Sequence, residues 1–118
     1  MLRDDTTYTP LLLVESDSTP GHYSLLLTDS QVGPVEEVFR SNGREPGGYG
    51  WADVALGALR EHQPDLESRL SMDPEAGMFC AYGTDLDALK ALGALLHGLF
   101  HDHTALAEAV KSAPYEYD

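Results

Sequence analysis

The stretch MFCAYGTDLDALKALGALLHGLF, residues 78–100, joins a short apolar run to a longer run with helical spacing. Residues 78–82 have the length and composition of a strand. After them, apolar side chains recur every three or four positions and cover about half of a helical wheel, at Leu86, Leu89, Leu92, Leu96, Leu99 and Phe100. Thr84 and Asp87 have the spacing of a capping box, so the helix is expected to begin there and to lie across a sheet.

Working outward from this stretch, short apolar runs alternate with turn chemistry and amphipathic segments. The order of these periods predicts an α+β, two-layer domain with an antiparallel sheet of about four strands and three to four helices packed on one face. Strands are predicted at 11–15, 23–28, 70–73 and 78–82, and helices at 32–43, 51–62 and 104–112, with a helical turn at 64–70. Core positions are predicted at Leu26, Phe39, Val54, Phe79, Leu89 and Leu96.

The length of 118 residues fits one domain, with flexible ends expected at 1–9 and 114–118. Within it, SMDPEAGM (71–78) is predicted to reverse the chain. Asp73 would accept backbone N–H bonds at the first position of the turn, Pro74 would fix φ, and Gly77 would take positive φ. Glu75, at the tip of the turn, is not required for the turn geometry.

The charge balance is strongly acidic, since 7 Lys and Arg stand against 20 Asp and Glu, for a net charge of −13. Such a chain repels phosphate backbones and anionic membrane surfaces, so neither nucleic acid nor a membrane is an expected partner. The remaining explanations are solubility or attraction to a basic protein. A lone cysteine, Cys80, and an acidic amino terminus without a signal-like run favour a cytoplasmic location.

Residues that could carry chemistry give no catalytic constellation. Asp73 and Glu75 are paired acids at a wet turn, and Cys80 lies in an apolar strand without a local motif. Phosphate-binding and dinucleotide-binding motifs are absent from the sequence, so neither catalysis nor a cofactor is predicted. His97 and His101 lie four apart with His103 nearby, which leaves a metal-binding or small-ligand domain as an alternative, although Lys90 shares their helical arc.

The surface is therefore the better candidate for function. Exposed aromatics ringed by acids are typical of protein interfaces, and the predicted loop 44–51 carries Tyr49 and Trp51 close to Glu45 and Asp53. These four residues and Glu75 are the predicted partner-binding residues. Tyr49 is the better contact candidate, because the wheel position of Trp51 also suits a core plug.

GGYGWADVA (47–55) and MDPEAGMFCAYGTDLDALKAL (72–92), in this order and spacing, resemble the bacterial polymorphic-toxin immunity proteins called immunity protein 51. The similarity covers about residues 10 to 112 through Gly48, Tyr49 and Trp51 and then Asp73, Pro74, Glu75, Gly77 and Phe79. It implies a small cytoplasmic α+β protein, a monomer or weak dimer, that binds and occludes a cognate toxin domain. The acidic surface would suit a basic nuclease toxin. A generic acidic adaptor is the further alternative.

Overall fold

Five antiparallel strands form one open sheet, in the order β1-β2-β3-β5-β4. The computed structural model describes residues 1–118, except for the side chain of Asp29. The strands are β1 (Arg3–Asp4), β2 (Leu12–Glu15), β3 (Tyr23–Thr28), β4 (Ser71–Met72) and β5 (Met78–Gly83). The predicted α+β class and antiparallel sheet are confirmed, and β1 is a two-residue edge strand that the sequence analysis missed.

Four α-helices complete the domain: α1 (Glu36–Arg40), α2 (Gly48–His62), α3 (Leu86–Phe100) and α4 (His103–Ser112). Short 3-10 segments occupy Asp29–Gln31, Gly33–Val35 and Pro64–Arg69. Gly43 follows α1 with φ 77°, so it ends this helical region as glycine commonly does. Among the described residues, no helix combines the length and the apolar character needed to span a membrane.

Strand alternation decides which side of the sheet is covered by helices. Leu13, Leu25 and Ala81 are paired neighbours across the three central strands and are fully buried. Leu26 lies one register position away, opposite Cys80, and is only half-buried on the other face. The predicted core position of Leu26 is therefore wrong, because successive side chains of a strand point to opposite faces. The other five predicted core residues are buried.

The helical layer is held together around Trp51, which is 1% exposed. Its ring centroid lies 5.1 Å from that of Phe39 and 6.2 Å from that of Phe100, so α1, α2 and α3 meet at one aromatic cluster. The indole N–H of Trp51 has no acceptor among the described residues. Burial of a large apolar side chain stabilises the fold by up to about 3 kcal/mol. This gain offsets the cost of about 1–3 kcal/mol for a buried donor that has no acceptor.

Local signals near β5 differ from the prediction in two details. The N-cap of α3 is Asp85, whose carboxylate accepts from the backbone N–H of Ala88 at 3.0 Å, rather than Thr84. The hairpin between β4 and β5 closes through the Glu75–Met78 bridge, and Gly77 does not have positive φ. The carboxylate of Asp73 accepts no hydrogen bond within the described part of the chain, whereas its backbone N–H donates to Cys80 at 2.9 Å.

Both chain ends, where the sequence predicts flexibility, make defined contacts. At the amino end, β1 pairs with β2, and the ring of Tyr8 packs against Gly93 of α3. At the carboxyl end, the residues after α4 lie against α2, and Ala113 is buried. We refer to residues 113–118 as the tail.

Candidate acidic cleft beside the first turn of helix α2

The first turn of α2 packs backbone to backbone against the hairpin between β4 and β5. A Cβ atom at Gly48 would collide with the carbonyl oxygens of Glu75 and Met78, and one at Gly47 would lie 2.6 Å from the carbonyl oxygen of Ala76. The N–H of Gly48 donates to the Ala76 carbonyl at 3.0 Å. The two motifs quoted above, GGYGW and DPEAGMF, are therefore in direct contact, and only glycine permits this approach.

This packing overturns the prediction that residues 44–51 form a loop throughout. Gly48, Tyr49 and Gly50 are instead the start of α2, which begins three residues earlier than predicted. A Cβ at Gly50 would collide with the carbonyl oxygen of Glu45, so the preceding loop folds back onto the helix. A helix that began at Trp51, as predicted, would have Asp53 in its first turn; Asp53 lies instead in the second turn of α2, away from the positive end of the helix dipole.

Asp53 is fully buried and holds the tail by its backbone. One carboxylate oxygen accepts from the N–H groups of Glu116 at 3.0 Å and Tyr117 at 2.9 Å, and the other accepts from Asp118 at 3.1 Å. The guanidinium of Arg44 lies 3.5 Å from the same carboxylate, and its side chain is 3% exposed. A buried charge needs such partners, because an unpaired carboxylate in the interior is very costly.

Arg44 joins three parts of the molecule. Its guanidinium donates to the carbonyl oxygen of Pro114 at 3.0 Å and to that of Ala113, and it lies over the ring of Tyr115, 3.4 Å from the ring centroid. The position over the ring adds a cation–π contact. The buried ion pair of Arg44 with Asp53 thus fixes loop, helix and tail relative to one another. The sequence analysis did not identify this arrangement, because the tail carbonyls that Arg44 binds are about 70 residues away from it.

A cleft of about 370 Å³ lies at the junction of these elements. Its lining includes the acids Glu36, Glu45 and Asp118, the cation Arg40 and the ring of Tyr49. Glu36 and Arg40 form an ion pair at 3.0 Å, whereas Glu45 and Asp118 form no ion pair with any described side chain. The cleft therefore has an excess of negative charge next to an aromatic ring that is 41% exposed. We call it the acidic cleft.

The predicted partner-binding residues separate into two groups. Glu45 and Tyr49 line the acidic cleft, and Glu75 is exposed on the hairpin whose next residue, Ala76, also lines it. Trp51 and Asp53 are 1% and 0% exposed, so their side chains lie in the interior rather than at the surface of the cleft. Their sequence pattern was ambiguous, since an aromatic and an acid near a glycine-rich segment occur both at protein interfaces and at helix N-termini that pack in the interior. The charged cleft residues that the sequence analysis missed are Glu36, Arg40 and Asp118.

The histidines of the alternative reading converge on a backbone oxygen. Nδ1 of His97 and Nε2 of His101 lie 2.8 and 2.9 Å from the carbonyl oxygen of Thr9. A carbonyl only accepts, so Nδ1 of His97 and Nε2 of His101 carry a proton, and only the other nitrogen of each ring could ligate a metal in this arrangement. His103 is exposed at the start of α4, and among the described residues no three His, Cys, Asp or Glu side chains are grouped as a metal site.

Cys80 lies on the half-buried face of the sheet, opposite Leu26, and does not line the acidic cleft. Burial raises the pKa of its thiol, and the negative charge of Asp73 raises it further. A thiol with a raised pKa is a poor nucleophile at neutral pH, because the thiolate is the reactive form. The geometry here is that of a packed strand residue rather than of an activated cysteine.

Comparison with known proteins assigns the chain to one family. No curated protein and no solved structure matches the chain significantly. A family model described as immunity protein 51 matches residues 11–114, which includes the whole sheet except β1, all four helices and both glycine-containing motifs. The chain therefore belongs to the immunity protein 51 family, and this membership implies an immunity protein of a toxin system.

Proposed function

We propose that this protein neutralises a cognate toxin of a polymorphic toxin system by binding the toxin domain and covering the surface that the toxin needs, without catalysing a reaction. Family membership supports the class of partner. The acidic cleft supports the mode of binding, because it places an exposed tyrosine beside Glu45 and Asp118. Tyrosine surrounded by polar groups is the usual composition of an interface hot spot.

The proposed partner surface is basic. The chain carries a net charge of −13, and the two cleft carboxylates without an ion-pair partner among the described residues can receive a Lys or Arg side chain. The ring of Tyr49 would contact the same cation by its face. A nuclease domain, whose own substrate is anionic, has this chemistry. Glu75 would add negative charge at the edge of the contact, in a cytoplasmic complex formed by a monomer or weak dimer.

The observation that carries the proposal is the fixed backbone around the cleft. Gly48 lies against the hairpin, Gly50 lies against the loop, and Arg44 and Asp53 hold the tail. A site whose walls are already in place loses less conformational entropy when a partner binds. Family membership alone does not point to this part of the surface.

Two tyrosines of similar exposure give a matched test. Tyr49 is 41% exposed in the cleft, and Tyr82 is 43% exposed on the other face of the sheet. With the toxin domain encoded beside this gene, we expect Tyr49→Ala to speed dissociation at least about tenfold, equivalent to 1.4 kcal/mol, and Tyr82→Ala to leave it near the wild-type rate. Stopped-flow or surface binding measures both rates.

The outcomes test the immunity function and the location of the binding surface separately. Loss of toxin protection in cells with Tyr49→Ala, but not with Tyr82→Ala, supports both. A larger effect of Tyr82→Ala would move the contact to the open face of the sheet while keeping the immunity function. Absence of any complex between the wild-type protein and this toxin domain would contradict the proposed function.

A further inference from the structure

A second concave surface lies between helices α2, α3 and α4, with a volume of about 860 Å³. Small residues dominate its walls, at Gly57, Ala58, Ala94, Gly98, Ala105 and Ala109. Leu95 and Leu99 supply half-buried apolar surface that packs on the core. The exposed acids Glu61, Asp102 and Glu108 stand around it. We call this surface the helical groove.

Gly98 is the residue of the groove that internal packing does not explain. A Cβ atom there would meet nothing within 4 Å among the described residues, whereas one at Gly93 of the same helix would press on the ring of Tyr8 at 3.0 Å. Glycine inside a helix is less favourable than alanine, because its backbone loses more conformational entropy. Gly93 offsets this cost by making room for Tyr8, whereas no described residue occupies the space beside Gly98.

The groove is suited to a helix rather than to a strand. Its walls are helices whose backbone groups are hydrogen-bonded within each helix, so they offer no free row of N–H and C=O groups to pair with an added strand. An occupant must therefore form its backbone hydrogen bonds internally, as a helix does. Small wall residues let its backbone come close, and the apolar surface of Leu95 and Leu99 can receive its apolar side chains.

The charge around the groove selects the occupant. Glu61 has no ion-pair partner among the described residues, Asp102 accepts only a backbone N–H in capping α4, and Glu108 has one exposed contact, with Lys111 at 3.6 Å. We propose, on the basis of the toxin-binding function above, that the helical groove receives a basic amphipathic helix of the same toxin domain. Its Lys or Arg side chains would flank an apolar face and meet these three carboxylates.

One partner can reach the groove and the acidic cleft together. Gly50 lies beside the cleft and Gly57 lines the groove, and seven residues of α2 span about 10 Å. The tail runs between the two surfaces, because Pro114 contacts Gly57 whereas Asp118 lines the cleft. A standard interface of about 800 Å² per partner is wide enough to include both.

Glycine amides report on the two surfaces separately. In a titration of the ¹⁵N-labelled protein with the toxin domain encoded beside this gene, we expect the amide signals of Gly57 and Gly98 to shift together with those of Gly47 and Gly50. Shifts of Gly47 and Gly50 alone would overturn the groove proposal and leave the proposed function standing. Absence of any shift would overturn the proposed function itself, and the groove proposal with it.

Filling the groove is the second arm of the test. We expect Gly98→Lys to weaken toxin binding at least about tenfold without loss of folding, because the new side chain projects into open space. Ser68→Lys adds the same charge at an exposed position outside the groove and should weaken binding less than about threefold. Equal affinities of Gly98→Lys and Ser68→Lys would overturn the groove proposal. With the toxin domain labelled instead, shifts confined to a loop or strand rather than to one helix would also overturn it.

Discussion

At the scale of single residues, glycines decide where parts of this molecule approach each other. Gly48 lies against the carbonyl oxygens of Glu75 and Met78, so backbone meets backbone where α2 starts. Gly98 also belongs to a helix, but it lies inside α3 and faces open space. The same substitution at these two positions should therefore have opposite effects.

We expect Gly48→Ala to lower the free energy of unfolding by at least about 1–3 kcal/mol, because a methyl group there overpacks rigid backbone. Gly98→Ala should raise it by about 0.5–1 kcal/mol, because alanine has the higher helix propensity and its methyl group meets no neighbour. Urea unfolding of both variants and the wild type checks this. A stable Gly48→Ala protein would contradict the close contact between α2 and the hairpin.

Asp85 links the stability of α3 to pH. Its pKa lies below the ordinary value of 3.8, first because it accepts the backbone N–H of Ala88 and also because of Arg69. Since the folded pKa is below the unfolded one, its stabilising contribution is complete above 3.8 and is lost as the pH falls through the folded pKa.

Comparison of Asp85→Asn with the wild type tests this linkage. Asparagine also caps helices well but does not form the ion pair with Arg69, so we expect slightly lower stability at neutral pH and a smaller loss of stability on acidification below about pH 4. Asp87→Asn removes a charge from the same turn without removing the cap, and serves as the control. Urea midpoints measured across this pH range give the result. Identical acid profiles for Asp85→Asn and the wild type would contradict the capping role.

At the scale of elements, the tail belongs to α2 as much as to α4. Three backbone N–H groups of the tail donate to Asp53, and two of its carbonyl oxygens accept from Arg44. The surface pair of Arg60 with Glu116 lies on the same segment but is exposed, at 42% and 48%. The tail therefore contacts one buried ion pair, Arg44 with Asp53, and takes part in one exposed ion pair, Arg60 with Glu116, and the two can be compared.

We expect Asp53→Ala to cost about 3–5 kcal/mol, because it leaves Arg44 buried without a countercharge and removes the acceptor of three N–H groups. Glu116→Gln should cost less than about 1 kcal/mol, as exposed ion pairs do. Urea unfolding measures both. Amide hydrogen exchange at residues 116–118 should become fast in Asp53→Ala, and unchanged protection there would show that Asp53 does not hold the tail.

At the scale of the whole molecule, charge should set the speed of toxin encounter. The net charge of −13 acts at long range, whereas the acidic cleft and the helical groove act only on contact. Association with a basic toxin domain should therefore be fast at low salt and slow at high salt, while dissociation should change less.

We expect the association rate to fall at least about tenfold between 0.1 M and 1 M salt, where the Debye length shortens from about 10 Å to about 3 Å. Charge reversal by Glu45→Lys should slow association and flatten its salt dependence. The control for position is Glu37→Lys, because Glu37 is exposed on α1 and does not line the cleft. Stopped-flow mixing at the two ionic strengths measures the rates. An association rate indifferent to salt would contradict a basic partner.

The sequence by itself determined the elements and their class. Apolar runs of strand length at 11–15, 23–28 and 78–82 and the helical period after Asp85 lie within ten to fifteen residues each, so local steric and apolar patterns were enough to predict these elements. The same local reading predicted Phe39, Val54, Phe79, Leu89 and Leu96 as core. It also drew attention to Glu45 and Tyr49, because their loop chemistry was unusual.

Only the tertiary structure decided which side chains are covered and which motifs meet. Leu26 and Leu25 are equally apolar, and the helices cover only one side of the sheet, so pairing and packing separate them. Asp53 is buried because N–H groups 63 to 65 residues away reach it. A charged side chain is tolerated in the interior when hydrogen-bond partners replace its hydration shell. Here those partners are distant in sequence, so the local pattern of the chain does not reveal them.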